Sequence, residues 1–364
     1  MALCLFSLLF LSGCAETKYV FNYANEDAKE LLWPKEEQIA RYRYVGQLLG
    51  EQNLSSDSDG GFAAVLIDAL KWVAGVFSAS GGSSAIVLQR PQGGTTDANG
   101  RIYVADASRQ AIYVFDPVTA KLHVWDDAGS GGFVSPVSVV VLGNGEVLVS
   151  DAQLAAVIRL DSNGVPLGFF AAGIMERPTG LAYDATRNLL YIADSAAHDI
   201  KVFRRDGTFV KRLGGPGVLE GQFNGPTHLS YRDNKLYVTD SLNARVQIFD
   251  GEGLFLSTFG ERGVYVGNMP RPKGVAADSD GNVYVVESYQ DHMLVFDEEG
   301  EFLMPLGGTG HGIGQFYLPA GIWIDAQDRV YIADMFNGRV VIFQYLGQEG
   351  VPVKRPVSTI IPKS

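Results

Sequence analysis

Cysteine is nearly absent from this chain of 364 residues, which contains only Cys4 and Cys14. Both lie at the N-terminus, so the rest of the chain has no thiol for a disulfide framework. No Cys-x-x-Cys-His sequence occurs, which excludes covalently attached c-type haem. A region of about 300 residues can bury enough apolar surface to be stable without such bridges.

Positive charge is also scarce. The chain has 29 Lys and Arg residues but 41 Asp and Glu residues, which gives a net charge of −12. Nucleic-acid binding requires a dense basic patch, so no nucleic-acid partner is predicted. The short basic runs at residues 201–205 and 211–212 are interpreted as solvent-exposed outer strands. Beyond residue 14, no apolar run reaches the roughly 18 residues of a membrane span, so no transmembrane helix is predicted in the mature chain.

A short repeated phrase is abundant instead, as in the Tyr-Ile-Ala-Asp that ends at Asp334. It occurs six times and ends in an acidic residue at intervals of 45, 43, 46, 47 and 47 positions. These residues are Asp106, Asp151, Asp194, Asp240, Glu287 and Asp334. A large apolar residue follows each by nine positions, and a proline precedes each by 14 to 16. Landmarks at constant spacing identify a repeat protein.

The repeat length indicates the architecture. Each unit contains apolar runs of about five residues, separated by turn sequences such as Asn99-Gly100 and Asn144-Gly145. Four short strands in about 45 residues form one propeller blade, and a closed ring of blades leaves no free sheet edge. The sequence therefore predicts an all-β, six-bladed propeller with four-stranded antiparallel blades over residues 39–346.

The repeat also resembles a known family. The pattern is Pro-x-Gly-(Val/Ile)-Ala-x-Asp, then Tyr-Val-Ala-Asp, then Asn-x-Arg-(Val/Ile)-x-x-Phe. Residues 240–249 and 334–343 carry its last part most clearly, with Arg245 and Arg339 at the Arg position. This pattern is similar to the NHL repeat, whose propellers include enzymes, sensors, and RNA- or protein-binding modules. The resemblance therefore implies the fold more specifically than the function.

Because the acidic residue recurs in every unit, we expect it to bind backbone amides or a neighbouring Arg as part of the scaffold. Arg245 and Arg339 are predicted to pair with such carboxylates between blades. The glycines that follow the prolines are expected to let the innermost strands approach closely at the narrow axis.

The N-terminal segment is typical of an exported protein. Residues 1–13 are almost entirely apolar, and residues 11–14 read Leu-Ser-Gly-Cys. This resembles the lipobox of bacterial lipoproteins, which implies cleavage before Cys14 and lipidation of that residue. The apolar run is too short to span a bilayer as a helix. A short signal peptide or a buried strand is the alternative. Residues 14–38 are predicted to be a tether to a bacterial envelope membrane, the outer membrane if two are present.

Three further segments flank or interrupt the repeats. Residues 41–50 alternate in polarity and resemble later fourth strands, so they are predicted to close the ring by pairing with the last blade. The alternative donor is the C-terminal tail, at residues 351–361 within the tail segment 347–364. Residues 62–77 are predicted to form an inserted helix.

Departures from the repeat indicate candidate ligand-binding positions. Blade four has His228 where other blades place Gly or Ser two residues after the proline. Polar residues occupy nearby or matching loop positions, and together they define a candidate ligand face: Gln92, His198, Thr227, His228, Lys273 and His292. The alternative for each lone histidine is a packed or surface residue.

Three classes of function fit these features. A non-catalytic binding or scaffolding module for another envelope protein is favoured. A metal-dependent lyase or lactonase-like enzyme and a small-ligand sensor or carrier are the alternatives. Catalytic zinc needs three protein ligands, and no three of the five histidines share one inner-strand position. No metal, cofactor or catalytic residue is therefore predicted.

Overall fold

Six antiparallel sheets follow one another along the chain and surround a common axis. The computed structural model describes residues 19–23, 31–34, 39–56 and 86–352. Within these residues the protein is an all-β, six-bladed propeller, as predicted. The described residues contain no helix long and apolar enough to cross a membrane.

The first three blades each contain four consecutive strands, ordered from the axis outward. Blade 1 consists of β6 (Pro91–Thr96), β7 (Ile102–Asp106), β8 (Ala111–Asp116) and β9 (Lys121–Trp125). Blade 2 consists of β10 (Pro136–Val141), β11 (Val147–Asp151), β12 (Ala156–Leu160) and β13 (Pro166–Phe170). Blade 3 consists of β14 (Pro178–Asp184), β15 (Leu189–Asp194), β16 (Asp199–Arg204) and β17 (Phe209–Leu213).

Blades 4 and 5 repeat this order, whereas blade 6 takes its outer strands from the N-terminus. Blade 4 consists of β18 (Pro226–Arg232), β19 (Lys235–Asp240), β20 (Arg245–Asp250) and β21 (Phe255–Phe259). Blade 5 consists of β22 (Pro272–Ala277), β23 (Val283–Glu287), β24 (His292–Phe296) and β25 (Phe302–Gly307). Blade 6 consists of β26 (Ile322–Ile324), β27 (Arg329–Asp334), β28 (Arg339–Tyr345), β4 (Tyr42–Leu48) and β2 (Leu32–Trp33).

The remaining described elements are short. They are β1 (Tyr19–Phe21), β3 (Ile39–Ala40), β5 (Leu54–Ser56), β29 (Val351–Pro352) and the 3-10 turns Glu51–Asn53, Ser241–Asn243 and Met335–Asn337.

The core is divided among the spaces between blades. Each sheet packs against a neighbour on both faces, so β7, β11 and β23 are buried at every position and do not alternate with polar residues. Six apolar clusters occupy the six spaces between adjacent blades in the described residues. β-branched and aromatic side chains suit strands of this kind, which explains the repeated Tyr-(Val/Ile)-Ala phrase.

β4 closes the ring by pairing antiparallel with β28. Tyr44 of β4 packs edge-on against Phe343, and Leu48 is fully buried. The Tyr42 hydroxyl donates a hydrogen bond of 3.1 Å to the Tyr284 hydroxyl in blade 5. The predicted N-terminal closure is therefore confirmed. The first two residues of the proposed alternative donor, in β29, pair with β3 instead of with blade 6.

Two parts of the predicted tether, residues 14–38, form short strands that pair with other described segments. β1 pairs with β5, and β2 pairs with β4. Aromatic packing holds both segments, with Phe21 against Phe115 and Trp33 against Phe343. The predicted signal peptide, Cys14, the inserted helix at residues 62–77 and the tail beyond residue 352 lie outside the described residues.

The repeated acidic residue joins two loops at one end of each blade. Asp106 accepts hydrogen bonds from the amides of Gln89 and Arg90, before the inner strand, and from those of Ser108 and Arg109 in the following turn. Corresponding bonds to amides before the inner strand occur at the other five positions: Asp151, Asp194, Asp240, Glu287 and Asp334. The predicted scaffold role is confirmed.

The predicted pairing of Arg245 and Arg339 between blades is wrong, because both bonds form within one blade. Arg245 Nε lies 2.9 Å from Asp240 Oδ2, and Arg339 Nε lies 2.7 Å from Asp334 Oδ2. The register explains this result, since each Arg stands directly opposite its Asp on the adjacent strand.

Lys201 was also misinterpreted, because it is buried rather than solvent-exposed. Its ammonium lies 2.7 Å from Asp194 Oδ2 and 2.8 Å from Asp199 Oδ1. Asp199 stands opposite Asp194, where blades 4 and 6 have Arg. In blade 3 the buried cation therefore comes from Lys201, two residues beyond the position that Arg occupies in blades 4 and 6.

Glycine allows the inner strands to approach one another at the axis. A Cβ added to Gly321 would lie 2.3 Å from the Gln92 carbonyl oxygen in blade 1. A Cβ added to Gly274 would lie 2.7 Å from the Ile322 nitrogen in blade 6. These contacts are with backbone atoms that a rotamer change cannot move, which confirms the predicted role of the glycines.

Candidate functional site

The propeller channel opens at two unequal mouths. The axial mouth, where the inner strands begin, is a cavity of about 930 Å³ lined by Gln92, Thr227 and Lys273 among others. The opposite mouth is about 430 Å³ and is lined by later residues of the same strands. Among the described residues, His228 alone lines both cavities, so its side chain lies between them.

The His228 imidazole is neutral at physiological pH. Burial and, secondarily, the nearby charge of Lys273 lower its pKa to about 3. Main-chain groups of Gln92 and Lys273 favour the protonated ring, but their effect is smaller. Neither ring nitrogen is exposed or makes a hydrogen bond of normal geometry within the described structure. His228 is therefore an uncharged constriction of the channel.

Cationic side chains surround the axial mouth. Its basic lining residues are Arg90, Arg177, Arg262, Arg271 and Lys273, and no carboxylate is present among the described lining residues. The guanidinium groups of Arg177 and Arg271 make no ion pair or hydrogen bond within the described part of the chain. In a protein of net charge −12, this local excess of positive charge attracts anions to one end of the channel.

Lys273 is the innermost of these cations. It follows Pro272 at the start of β22, and its ammonium has no partner among the described residues. Burial lowers its pKa, and the positive charges of Arg271 and Arg177 lower it further. The folded protein thus holds an ammonium group at a position that destabilises its charge, without an acidic neighbour in the described structure to compensate.

The structure brings together four of the six predicted ligand-face residues. Gln92, Thr227, His228 and Lys273 line the axial mouth. Thr227 is also linked to blade 5 through Ser241. The two hydroxyl oxygens lie 2.7 Å apart, and the Ser241 hydroxyl donates a hydrogen bond to the Pro272 carbonyl oxygen.

The other two predicted residues do not line this cavity. His198 Nδ1 accepts a hydrogen bond of 2.9 Å from the Gly225 amide and so has a scaffold role. His292 begins β24 directly opposite Glu287, at the position that Arg occupies in blades 4 and 6. No group of three or more His, Cys, Asp or Glu residues in the described ranges is arranged to hold a metal ion. The absence of catalytic zinc stays a prediction.

The mouth arginines were missed from the sequence although a signal was present. In blades 1, 3 and 5 an arginine immediately precedes the proline that begins the inner strand, at Arg90, Arg177 and Arg271. The prolines recur in all six blades and are repeat landmarks, whereas the arginine before them occurs only in alternate blades and is not part of the repeat pattern. Alternate blades therefore contribute one arginine each to the same end of the channel.

Exposed apolar residues form a second unusual feature beside this mouth. They occupy loops at the same end of blades 4 to 6, and we call them the apolar rim: Leu219, Leu242, Val264, Tyr265, Tyr289, Tyr317 and Phe336. Val264 and Tyr265 are 81% and 79% exposed. At the opposite end, the exposed large apolar residues in hairpin turns include Val118, Val165 and Leu254.

Side-chain contacts connect the apolar rim to the axial mouth. Leu242 itself lines the cavity, and Arg262 donates a hydrogen bond of 2.9 Å to its carbonyl oxygen. The Phe336 ring packs edge-on against Tyr317 and lies 5.8 Å from the guanidinium carbon of Arg90. The apolar rim therefore adjoins the cationic mouth at Leu242 and Phe336.

Comparisons with known proteins agree with this fold. A family profile described as "6-bladed beta-propeller" matches residues 275–351, which contain most of blades 5 and 6. The chain is therefore a six-bladed β-propeller by both sequence comparison and structure. A search of curated proteins finds no match.

Solved structures show the same fold at low sequence identity. A structural-genomics protein of unknown function from Bacteroides thetaiotaomicron is 16% identical, with a TM-score of 0.57, covering 72% of this chain and 70% of that one. An auxiliary nutrient binding protein from the same organism is 12% identical, with a TM-score of 0.57 and coverages of 71% and 70%. Virginiamycin B lyase from Staphylococcus aureus, in an inactive form with quinupristin, is 15% identical, with a TM-score of 0.52 and coverages of 70% and 95%. At such identities the likeness concerns the fold alone.

Proposed function

We propose that the protein is a non-catalytic binding module that holds another envelope protein on the apolar rim. The observation that carries this proposal is the concentration of exposed aromatic and aliphatic residues in the loops of blades 4 to 6. A contiguous apolar surface rimmed by polar groups is typical of a protein-binding site. Tyrosine in particular is enriched in such interfaces.

Charge complementarity specifies the partner further. The apolar rim adjoins a mouth lined by five basic residues. A partner with an apolar patch beside an acidic surface would bury its apolar groups on the rim and face these cations. Opposite charges at the edge of an interface mainly increase the association rate and exclude wrong partners.

The partner-binding proposal is tested with the double variant Tyr265→Ser/Tyr289→Ser. Both side chains are at least 70% exposed, so their replacement is expected to leave folding intact. Truncating interface aromatics typically costs more than a kilocalorie per mole, so we expect at least about tenfold weaker binding of the partner. A photo-crosslinking residue at position 265 identifies the partner in membranes, and titration of the purified proteins measures the affinity.

Val118→Ser/Val165→Ser is the matched control, since these exposed apolar residues lie at the other end of the propeller. The control should bind as the wild type does. Equal affinity of the rim variant and the wild type would contradict the proposal, as would crosslinking of the same protein from position 118.

The proposed location is the bacterial envelope, with a lipid on Cys14 as the membrane attachment. The support is the apolar sequence of residues 1–13 and the Leu-Ser-Gly-Cys that follows. Stable membrane attachment requires more than one acyl chain, and bacterial lipoproteins of this type carry such a modification. Cys14→Ala is expected to move the protein out of the membrane fraction and to abolish labelling by a fatty-acid probe. Cys4→Ala is the control, and unchanged membrane partitioning of Cys14→Ala would exclude this anchor.

A further inference from the structure

The axial mouth has features of a ligand site that protein docking on the rim does not explain. Its volume of about 930 Å³ falls within the range of small-molecule pockets, roughly 300–1,000 Å³. It is lined by hydroxyl and amide groups, from Thr179, Thr227 and Gln92, in addition to the cations. His228 closes its inner end.

We propose that the axial mouth binds a small, multiply charged anion, of the polycarboxylate or phosphate class, through Lys273, Arg177 and Arg271. These three groups line one cavity and have neither an ion pair nor a side-chain hydrogen bond within the described structure. An anion in this cavity would supply the negative charge that the protein does not. Guanidinium groups suit it because each can donate two parallel hydrogen bonds to a carboxylate or phosphate.

The alternation of arginine around the ring supports a ligand with several charged oxygens. Arg90, Arg177 and Arg271 immediately precede the inner strands of blades 1, 3 and 5, so they approach the axis from different directions. A single charged group could contact only part of this set. A compact ligand with two or three anionic groups could contact more of it at once.

Other arrangements of basic residues on the protein lack these properties. Arg159 and Arg187 form a second basic cluster with Arg204 and Arg205, but they already pair with Glu146, Asp184 and Glu252. That cluster lies in a shallower and smaller cavity of about 340 Å³. It therefore provides a control surface of similar composition.

A bound anion also explains why a lysine occupies position 273, where its charge is unfavourable in the free protein. Its charge lies close to two other positive charges without a compensating carboxylate in the described structure, which costs stability in the free protein. Replacement by Met, an apolar side chain of similar length, is therefore expected to preserve or increase the folding stability. A residue that lowers stability while lining a cavity is typical of a functional position.

The test is a calorimetric titration of the full-length protein in detergent with citrate, inorganic phosphate, pyrophosphate and neutral glycerol. At least one anion is expected to bind, and glycerol is not. Binding should weaken as salt increases, because the contacts are ionic. Lys273→Met should weaken binding by at least about tenfold, and Arg177→Gln/Arg271→Gln by more, because each charged hydrogen bond contributes substantially. Tighter binding of citrate would indicate a polycarboxylate ligand, and tighter binding of pyrophosphate would indicate a phosphate ligand.

Arg204→Gln is the matched control, since it removes one positive charge from the second basic cluster. It should leave anion binding unchanged. Thermal unfolding without ligand shows whether Lys273→Met is folded and at least as stable as the wild type. The proposal fails if no anion binds, if the mouth variants bind as well as the wild type, or if Arg204→Gln weakens binding equally.

The two proposals can fail independently. Tyr265→Ser/Tyr289→Ser should retain anion binding while losing the partner, because neither residue lines the cavity. The mouth variants should lose anion binding more strongly than they lose partner binding. If the mouth variants lose partner binding and the wild type binds no small anion, the cations belong to the protein interface. That result would overturn the small-anion proposal.

Discussion

Deletion of residues 39–50 is expected to make the protein aggregate. This deletion removes β4, the strand that pairs with β28 and closes the ring. It also removes the buried side chains of Tyr42, Tyr44 and Leu48. Burial of one large apolar side chain contributes roughly 1.5–3 kcal/mol, so three of them approach the whole stability of a typical domain, about 5–15 kcal/mol.

Aggregation is expected in addition to unfolding because β28 would become an unpaired edge. This strand is apolar and almost entirely buried, and an exposed edge of this type pairs with other chains. Size-exclusion chromatography and light scattering measure the effect. A milder variant, Leu48→Asp, should produce the same trend because it buries a charge at a fully enclosed position.

Two controls test whether aggregation results specifically from the loss of β4. Arg43→Asp alters an exposed residue of the same strand and should leave the protein monomeric. Removal of residues 354–364 should be nearly harmless. A soluble, monomeric deletion variant together with an aggregating C-terminal truncation would show that the C-terminal tail closes the ring.

The fold could be predicted because each repeated landmark has a separate physical role. The acidic residue bonds to loop amides, the proline begins an inner strand in five of the six blades, and the large apolar residue fills the space between blades. Selection for these roles leaves the same residue type at the same interval. The ring closure was predictable for the same reason, since residues 41–50 resemble a fourth strand.

The interactions that differ between blades were harder to predict. Arg245 and Lys201 both neutralise a repeated Asp, but they do so from positions two residues apart along the strand. The repeat pattern contains no information about which side chain turns inward at such a position. Lys201 was therefore taken for a surface residue, although its neighbour Asp199 is an acid where an Arg was expected.

The candidate site was only partly predictable because its residues come from loops and strand ends of several blades. His228 and Lys273 were found as departures from the repeat at inner-strand positions. Arg177 and Arg271 immediately precede a landmark and were missed. The apolar rim was missed because Tyr265 and Phe336 look like ordinary apolar residues until their exposure is known.

Lys201→Met, in the ionic cluster of blade 3, is expected to lower the free energy of unfolding by about 3–5 kcal/mol. Lys201 is 8% exposed and its ammonium contacts both Asp194 and Asp199. Removal of the ammonium leaves two enclosed carboxylates, and the remaining nearby cation, Arg212, lies 3.7 Å from Asp199 and is largely exposed. Chemical unfolding at neutral pH measures the loss.

The pH dependence of this loss identifies its cause. Burial opposes the charge of Asp194, but Lys201 and the amides of Glu176 and Arg177 outweigh burial and lower its pKa. Burial raises the pKa of Asp199 even beside Lys201. Without the ammonium, the folded-state pKa values of both carboxyls are expected to rise, that of Asp199 further above the unfolded value of about 3.9. The resulting cost is full at neutral pH and disappears as the pH falls below the raised pKa values, so the difference between variant and wild type should shrink toward acid.

Lys235→Met is the matched control, because this lysine forms an exposed ion pair of 3.4 Å with Glu298. Exposed pairs contribute roughly 0–1 kcal/mol, so the control should change stability little at any pH. Asp199→Asn added to Lys201→Met should recover part of the lost stability, since one of the two unpaired charges is then absent. A loss below about 1 kcal/mol in Lys201→Met, or a loss that stays constant between neutral and acidic pH, would show that the two buried carboxylates do not depend on Lys201.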